Sequence, residues 1–193
     1  EHGVVTSVGD NSTFNSTKIS YYTPKFSGFQ AGVSYTPALD RGQNVTRLNN
    51  NAGDIQNFWD FGVGYEGNLS NGLKLAVAGT YEAAEAETAA NRNVKAWNLG
   101  ALLGYQGFSL AGSYGDWNNS NQAVGVGRGT NYWTAGLGYA AGPVGVSATY
   151  LDSRRDSAAG KNKFHNLVLG AEYKLAAGLT PYAEVSFYDF NDV

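Results

Sequence analysis

Every second residue is apolar in a series of short segments, and each segment closes on tyrosine. The segments are FQAGVSY (29–35), WDFGVGY (59–65), LKLAVAGTY (73–81), WNLGALLGY (97–105), FSLAGSY (108–114), WTAGLGY (133–139), VGVSATY (144–150) and LVLGAEY (167–173). The residues between the apolar positions are mostly Gly, Ser, Thr, Ala or charged. Side chains alternate faces along a strand, so each segment carries one greasy face and one small or polar face. The phrase returns about every twenty residues with no helical period between copies. This predicts one antiparallel, up-and-down sheet of about ten strands over 17–23, 29–37, 57–66, 72–82, 95–106, 108–117, 131–141, 143–152, 164–175 and 179–190. Either a core or lipid must cover its apolar face.

The connections predict which. They alternate between short turns, such as YQGF (105–108) and YAAGPV (139–144), and long polar stretches. The long ones are 36–57, 82–93, 115–131 and DSRRDSAAGKNK (152–163). In a meander, alternate connections fall at opposite ends, so one rim is tight and the other is looped. Outer-membrane barrels have that asymmetry. The aromatic residues sort the same way. Tyr35, Trp59, Tyr81, Trp97, Tyr114, Trp133 and Tyr150 fall at the long-loop end of their strands, and Tyr65, Tyr105, Tyr139 and Tyr173 at the short-turn end. Aliphatic residues occupy the same face between them. Two aromatic belts around an aliphatic band match a bilayer with its two interfaces. A packed core explains the alternation but not the placing of rings at strand ends.

Composition narrows the classes further. The 193 residues contain 26 Gly, 13 Tyr and 4 Trp, no Cys and no Met. The mean hydropathy of −0.31 resembles that of a soluble protein, but a barrel's lumen-facing residues dilute its hydropathy in the same way. No run approaches the ~20 apolar residues of a membrane helix. Without cysteine there are no disulfides, thiolate metal sites or cysteine nucleophiles. The net charge of −3 and the absence of a basic stripe argue against nucleic acid. The chain opens EHGVV, with neither a start residue nor a signal peptide, which predicts a processed or incomplete chain.

The run NSTKISYYTPKFSGFQAGVSYTP (15–37) resembles general porins of Gram-negative outer membranes. That resemblance continues weakly through the G-x-x-Y strand endings. It implies an all-β, sixteen-stranded, water-filled transmembrane barrel, usually trimeric, whose third loop folds inward to narrow the channel. On this resemblance, residues 1–16 are the tail of the constriction loop and 17–193 are barrel strands with short periplasmic turns and long extracellular loops. Both predicted chain ends lie at the long-loop rim and the family's closing strand is absent. The expectation is therefore the C-terminal two-thirds of such a barrel. The implied partners are outer-membrane lipid, lipopolysaccharide, small hydrophilic solutes and two further copies of the chain.

Strand parity selects the residues that would line the pore: Lys18, Asp60, Lys74, Glu184, Gln30, Thr80 and Asn98, with Glu66, Glu172 and Lys174 near the short-turn rim. Tyr22 and Tyr188 also face inward, as contacts for passing solutes or as packing against loops. Charged side chains in the lumen bias ion choice, and Lys18, just after the inward loop, is the leading constriction candidate. The loop charges Asp40, Arg41, Arg47, Arg128, Arg154 and Arg155 are read as folding over the mouth, as holding lipopolysaccharide phosphates, or as solvated.

Catalytic chemistry is sparse. The two histidines are His2 and His165, and His165 beside Asp152 or Asp156 is the nearest approach to a triad. GVGRGT (125–130) follows no strand-to-helix pattern, so it is not a phosphate loop. Asp116, Asn118 and Asn119 offer oxygens for Ca²⁺ in an external loop but lack the spacing of a known site, and no cofactor is expected. Two other readings stay open: a soluble, secreted, lectin-like all-β binding module, and an outer-membrane barrel with an adhesive or structural task. A requirement for detergent separates the first of these from a porin.

Overall fold

Ten strands pair in chain order, each antiparallel to the next, in a single sheet. The computed structural model describes residues 16–38, 55–127, 129–157 and 159–191. The strands are β1 (Ile19–Tyr22), β2 (Phe29–Ala38), β3 (Ile55–Asn68), β4 (Lys74–Ala86), β5 (Val94–Tyr105), β6 (Phe108–Asn118), β7 (Thr130–Ala141), β8 (Val144–Asp156), β9 (Lys161–Tyr173) and β10 (Tyr182–Asn191). No helix of the described residues is long and apolar enough to cross a membrane. Apart from β1, the strands run 10–14 residues. At ~3.3 Å per residue and a tilt near 40°, that length reaches about 25–35 Å along a barrel axis.

Each tyrosine-closed phrase falls on a strand, as the alternation predicts, with only Leu73 of the 73–81 phrase lying just before its strand, but the strict alternation of connection lengths does not survive. The stretch read as a loop over 152–163 is mostly hairpin: β8 runs to Asp156 and β9 begins at Lys161. Its charges sit on paired strand ends, where Lys161 Nζ lies 3.6 Å from Asp156 Oδ1 and Ser157 N donates to the Gly160 carbonyl. Conversely, the connection from β9 to β10 spans 174–181, longer than a tight turn, and holds a small bridge between Ala176 and Leu179. In the sequence polarity reads as a loop signal, but backbone pairing overrides it at the rim, where charged side chains stay wet. Strand β4 likewise continues to Ala86, through residues predicted as loop.

One of two two-residue turns is Gln106–Gly107, with φ of 46° and 86°. Two positive-φ residues give the twist that matches paired strands, and glycine takes the second at no steric cost. At the opposite rim, the loop after β6 folds back on the loop before β5. Arg92 N donates to the Gln122 carbonyl and Val124 N to the Ala90 carbonyl, while Lys95 N donates to Ser120 Oγ. A bulge opens β3 between Gln56 and Trp59, with Asn57 at φ 53°. Among the described residues neither β1 nor β10 pairs with a second strand, so the sheet has two open edges.

Candidate functional site

The register divides the sheet into two chemically different faces. On one, Val33 pairs with Phe61, Phe61 with Tyr81 and Tyr81 with Trp97. The rings gather at two levels. Toward the 39–54, 87–93 and 119–129 connections, ring centroids lie 4.6 Å apart for Tyr35–Trp59 and 5.4 Å apart for both Trp97–Tyr114 and Trp133–Tyr150. At the opposite end they lie 4.7 Å apart for Phe29–Tyr65 and 4.4 Å apart for Phe108–Tyr139, with Tyr105 opposite Phe108 and Tyr173 opposite Val144. Between the levels the side chains are aliphatic and open: Leu137 is 64% exposed and Leu99 54%. Burying one such side chain is worth ~1.5–3 kcal/mol in water, and here a whole band of them is left uncovered. Such a face suits a hydrocarbon solvent, and it is the opposite of a sandwich's inner face.

The other face is mostly small and hydrophilic, with Leu102, Leu151, Phe164, Val168 and Phe190 as apolar exceptions. Strand parity places Gln30, Asp60, Lys74, Thr80, Asn98, Glu184, Tyr22 and Tyr188 on it, with Lys18 one residue before β1 in the same phase. Thr80 stands opposite Asn98, and Asn98 Nδ2 donates to the Tyr132 hydroxyl. Tyr132 lies flat over Gly115, beside Trp117 at 5.3 Å. Tyr22 similarly covers Gly32, where an added Cβ would sit 2.7 Å from the ring. Tyr188 stands opposite Asn166. Gln30 Nε2 donates to the Thr23 carbonyl. Near the short turns Lys25 and Glu66 form an exposed ion pair at 3.1 Å, and Glu172 covers Gly145.

The structure adds residues that sequence reasoning missed. Glu82 is the direct cross-strand partner of Asp60, so two carboxylates share one level of the polar face, and Asp60 lies within electrostatic reach of Lys18. Glu82 sits where the predicted strand 72–82 meets the predicted loop 82–93, and the period-2 alternation carried one residue past Tyr81 puts it on the polar face. A second surprise is apolar: Ile55, Phe58, Ala84 and Val94 form a buried cluster at the long-connection end. The polar-face rule, small or hydrophilic throughout, fails there, since Phe58 stands opposite Thr36 and Val94 opposite Ala84.

The loop charges divide. Arg154 points to the aromatic face and Arg155 to the polar one, since they are consecutive on β8. Asp40, Arg41, Arg47 and Arg128 lie outside the described residues, as do His2 and the predicted constriction-loop tail over 1–15. His165 does meet Asp152, with Nδ1 3.1 Å from Oδ2, but both stand on the aromatic face at the rim with Tyr150 and Arg154 around them. The surroundings are those of a structural network rather than a nucleophile and its base. Asp116 Oδ1 accepts the backbone N–H of Asn118 at 2.6 Å, so this oxygen of the calcium candidate closes its own turn. Among the described residues no cluster of three or more His, Cys, Asp or Glu could hold a metal.

Comparison with known proteins agrees with these two faces. An uncharacterized protein of Rickettsia conorii is 32% identical over 221 residues, covering 89% of this chain and 50% of that protein. An uncharacterized protein of Rickettsia bellii is 33% identical over 220 residues, with the same coverage. Outer membrane porin F of Escherichia coli is 26% identical over 199 residues, covering 89% of this chain and 55% of that porin. The chain therefore spans about half the length of the curated relatives it matches. Among solved structures, an anion-selective porin from Comamonas acidovorans superposes with a TM-score of 0.67 at 22% identity, over 91% of this chain and 49% of that one. OmpT, from the outer membrane of Vibrio cholerae, does so with a TM-score of 0.61 at 14% identity, over 90% and 54%. The family model described as Gram-negative porin matches residues 2–193, and the chain belongs to that outer-membrane family.

Proposed function

We propose that this chain forms part of the wall of a water-filled pore through which small hydrophilic solutes and ions diffuse passively across the outer membrane. One observation carries the reading. The same sheet presents an uncovered aliphatic band between two aromatic levels on one face, and serines, threonines, amides and charges on the other. A sheet with those faces separates hydrocarbon from water, and the lumen does its work by charge and bore rather than by bond chemistry. No reaction step is assigned to it. The resemblance to porins supports a homotrimer seated among outer-membrane lipid and lipopolysaccharide, with residues 1–16 as the tail of the inward loop.

Within the lumen, Lys18 is the residue assigned to the narrow segment, with Asp60 and Glu82 as its anionic neighbours. The full-length protein in a planar bilayer should give stable open-channel currents without nucleotide, ligand or metal. Lys18→Glu should shift ion preference toward cations. The shift should fade with salt, as the Debye length falls from ~10 Å at 0.1 M to ~3 Å at 1 M. An unchanged reversal potential at low salt would remove Lys18 from the constriction. A folded, inserted barrel that passes no current would reject the pore and favour an adhesive or structural role.

A further inference from the structure

Four of the apolar side chains on the polar face come together on β8, β9 and β10: Leu151, Phe164, Val168 and Phe190. Phe164 stands opposite Phe190, and Val168 stands between Thr149 and Ser186. At the centre is Asn166, opposite Leu151 on one side and Tyr188 on the other. Directly opposite residues have Cβ atoms about 4.5–5.5 Å apart, so the rings of Phe164, Tyr188 and Phe190 share one small area of wall with an amide. The rings are open on this side: Tyr188 is 75% exposed and Phe190 62%.

Apolar surface of this kind, gathered on an otherwise hydrophilic face, marks a place where something binds. The amide at its centre is held for that purpose. Asn166 Oδ1 accepts a hydrogen bond from Ser186 Oγ at 2.7 Å, which fixes the plane of the amide, while Nδ2 donates to nothing among the described residues. The patch is also uncharged. Along the polar face it is bounded by Arg155 on one side and Glu184 on the other, and the Asp60–Glu82 pair lies on distant strands. An ion therefore finds no counter-charge between those bounds. A neutral solute with an apolar flank and a rim of hydroxyls finds a partner for each. A pyranose ring has that shape, with C–H bonds across its face and hydroxyls around its edge. Aromatic lining with a few placed polar groups is the usual make-up of a small-molecule site.

We propose that Phe164, Tyr188, Phe190 and Asn166 form a weak subsite for neutral pyranose sugars on the pore wall. The rings take the C–H face of the sugar and the Asn166 amide takes a hydroxyl. The inference rests on the polar face lining a water-filled pore, as proposed above, and narrows the solutes that this wall favours. Weakness suits the task, because a site in a channel must hold its solute well enough to draw it in and loosely enough to let it leave.

The test uses the full-length protein in lipid vesicles, with uptake of radiolabelled cellobiose and of radiolabelled sorbitol measured against concentration. Salt conductance in a planar bilayer checks that each variant forms a barrel. Cellobiose uptake should saturate, whereas uptake of sorbitol, which has hydroxyls but no ring face, should stay linear. Tyr188→Ser and Phe190→Ser, in barrels that still conduct salt, should each raise the half-saturating cellobiose concentration roughly two- to tenfold, the scale of one aromatic contact. Asn166→Leu, which keeps the bulk and removes the amide, should raise it as well. Phe187→Leu, next to Tyr188 on β10 but on the aromatic face, should leave it where it was. Linear cellobiose uptake by a conducting parent protein would overturn the subsite and leave the pore standing. So would equal saturation by sorbitol, or saturation that the Tyr188, Phe190 and Asn166 variants all leave unaltered, the result expected if another part of the chain covers the patch. A parent protein that conducts no salt would overturn the pore, and the subsite with it.

Discussion

Single residues set which side chains can share a face. Gly115 is required because a Cβ there would enter the ring of Tyr132, whose hydroxyl is held by Asn98. Gly115→Ala should push that ring off the wall and cost about 1–3 kcal/mol, read from urea unfolding of the refolded protein in detergent micelles. An unaltered midpoint would mean that the ring has room to move. The alternation rule made Asp60 and Asn98 legible without coordinates. It did not reveal that Glu82 stands opposite Asp60 or that Asn98 meets Tyr132, because cross-strand partners depend on register. Register is set by turn geometry far from the residues themselves. The pairing gives a second expectation. Glu82→Gln should reduce cation preference in bilayers at low salt about as much as Asp60→Asn does, and a silent Glu82→Gln would place it outside the conduction path.

At the scale of the strand, the two faces answer differently to one charge. Leu137 lies mid-strand on the aliphatic band and is 64% exposed. Thr149, on the neighbouring strand β8, lies on the polar face opposite Gly136. Leu137→Arg should cost ~2–4 kcal/mol in lipid vesicles, while Thr149→Arg should cost far less and alter conductance instead. Equal costs would mean that both positions contact water. The β5–β6 hairpin depends on Gly107 at φ 86°, where a side chain would also press on the Ala140 carbonyl. Gly107→Ala should destabilise by about 1–3 kcal/mol, seen as a lower thermal midpoint. The existence and phase of these strands were readable from period-2 alternation. Their ends were not, because charged rim residues such as Asp156 and Lys161 look like loop in a sequence and pair as strand in the fold.

At the scale of the whole molecule, the edges of β1 and β10, unpaired on one side among the described residues, matter most. In hydrocarbon an unpaired backbone N–H or C=O costs several kcal/mol, so a spanning sheet must be closed. The 193 residues expressed alone should therefore fail to give a heat-resistant folded band on semi-native gels, whereas the full-length protein should give one. A stable, conducting barrel formed by this stretch by itself would show that ten strands can close, and would overturn the expectation.

By itself the sequence determined the all-β class, the up-and-down order, and which face of each strand is greasy. All three follow from local alternation, which every strand carries in its own residues. It also determined the two aromatic levels, since the rings lie at fixed places within each repeated phrase. Tertiary structure alone decided the neighbours: Glu82 beside Asp60, Arg154 turned outward and Arg155 inward, and Asp152 buried between Arg154 and His165. It decided too that the 152–163 segment is hairpin and that an apolar cluster sits at Phe58. Such facts depend on contacts between residues distant in the chain, and hydrogen-bond register, rather than the hydropathy of any one segment, fixes them.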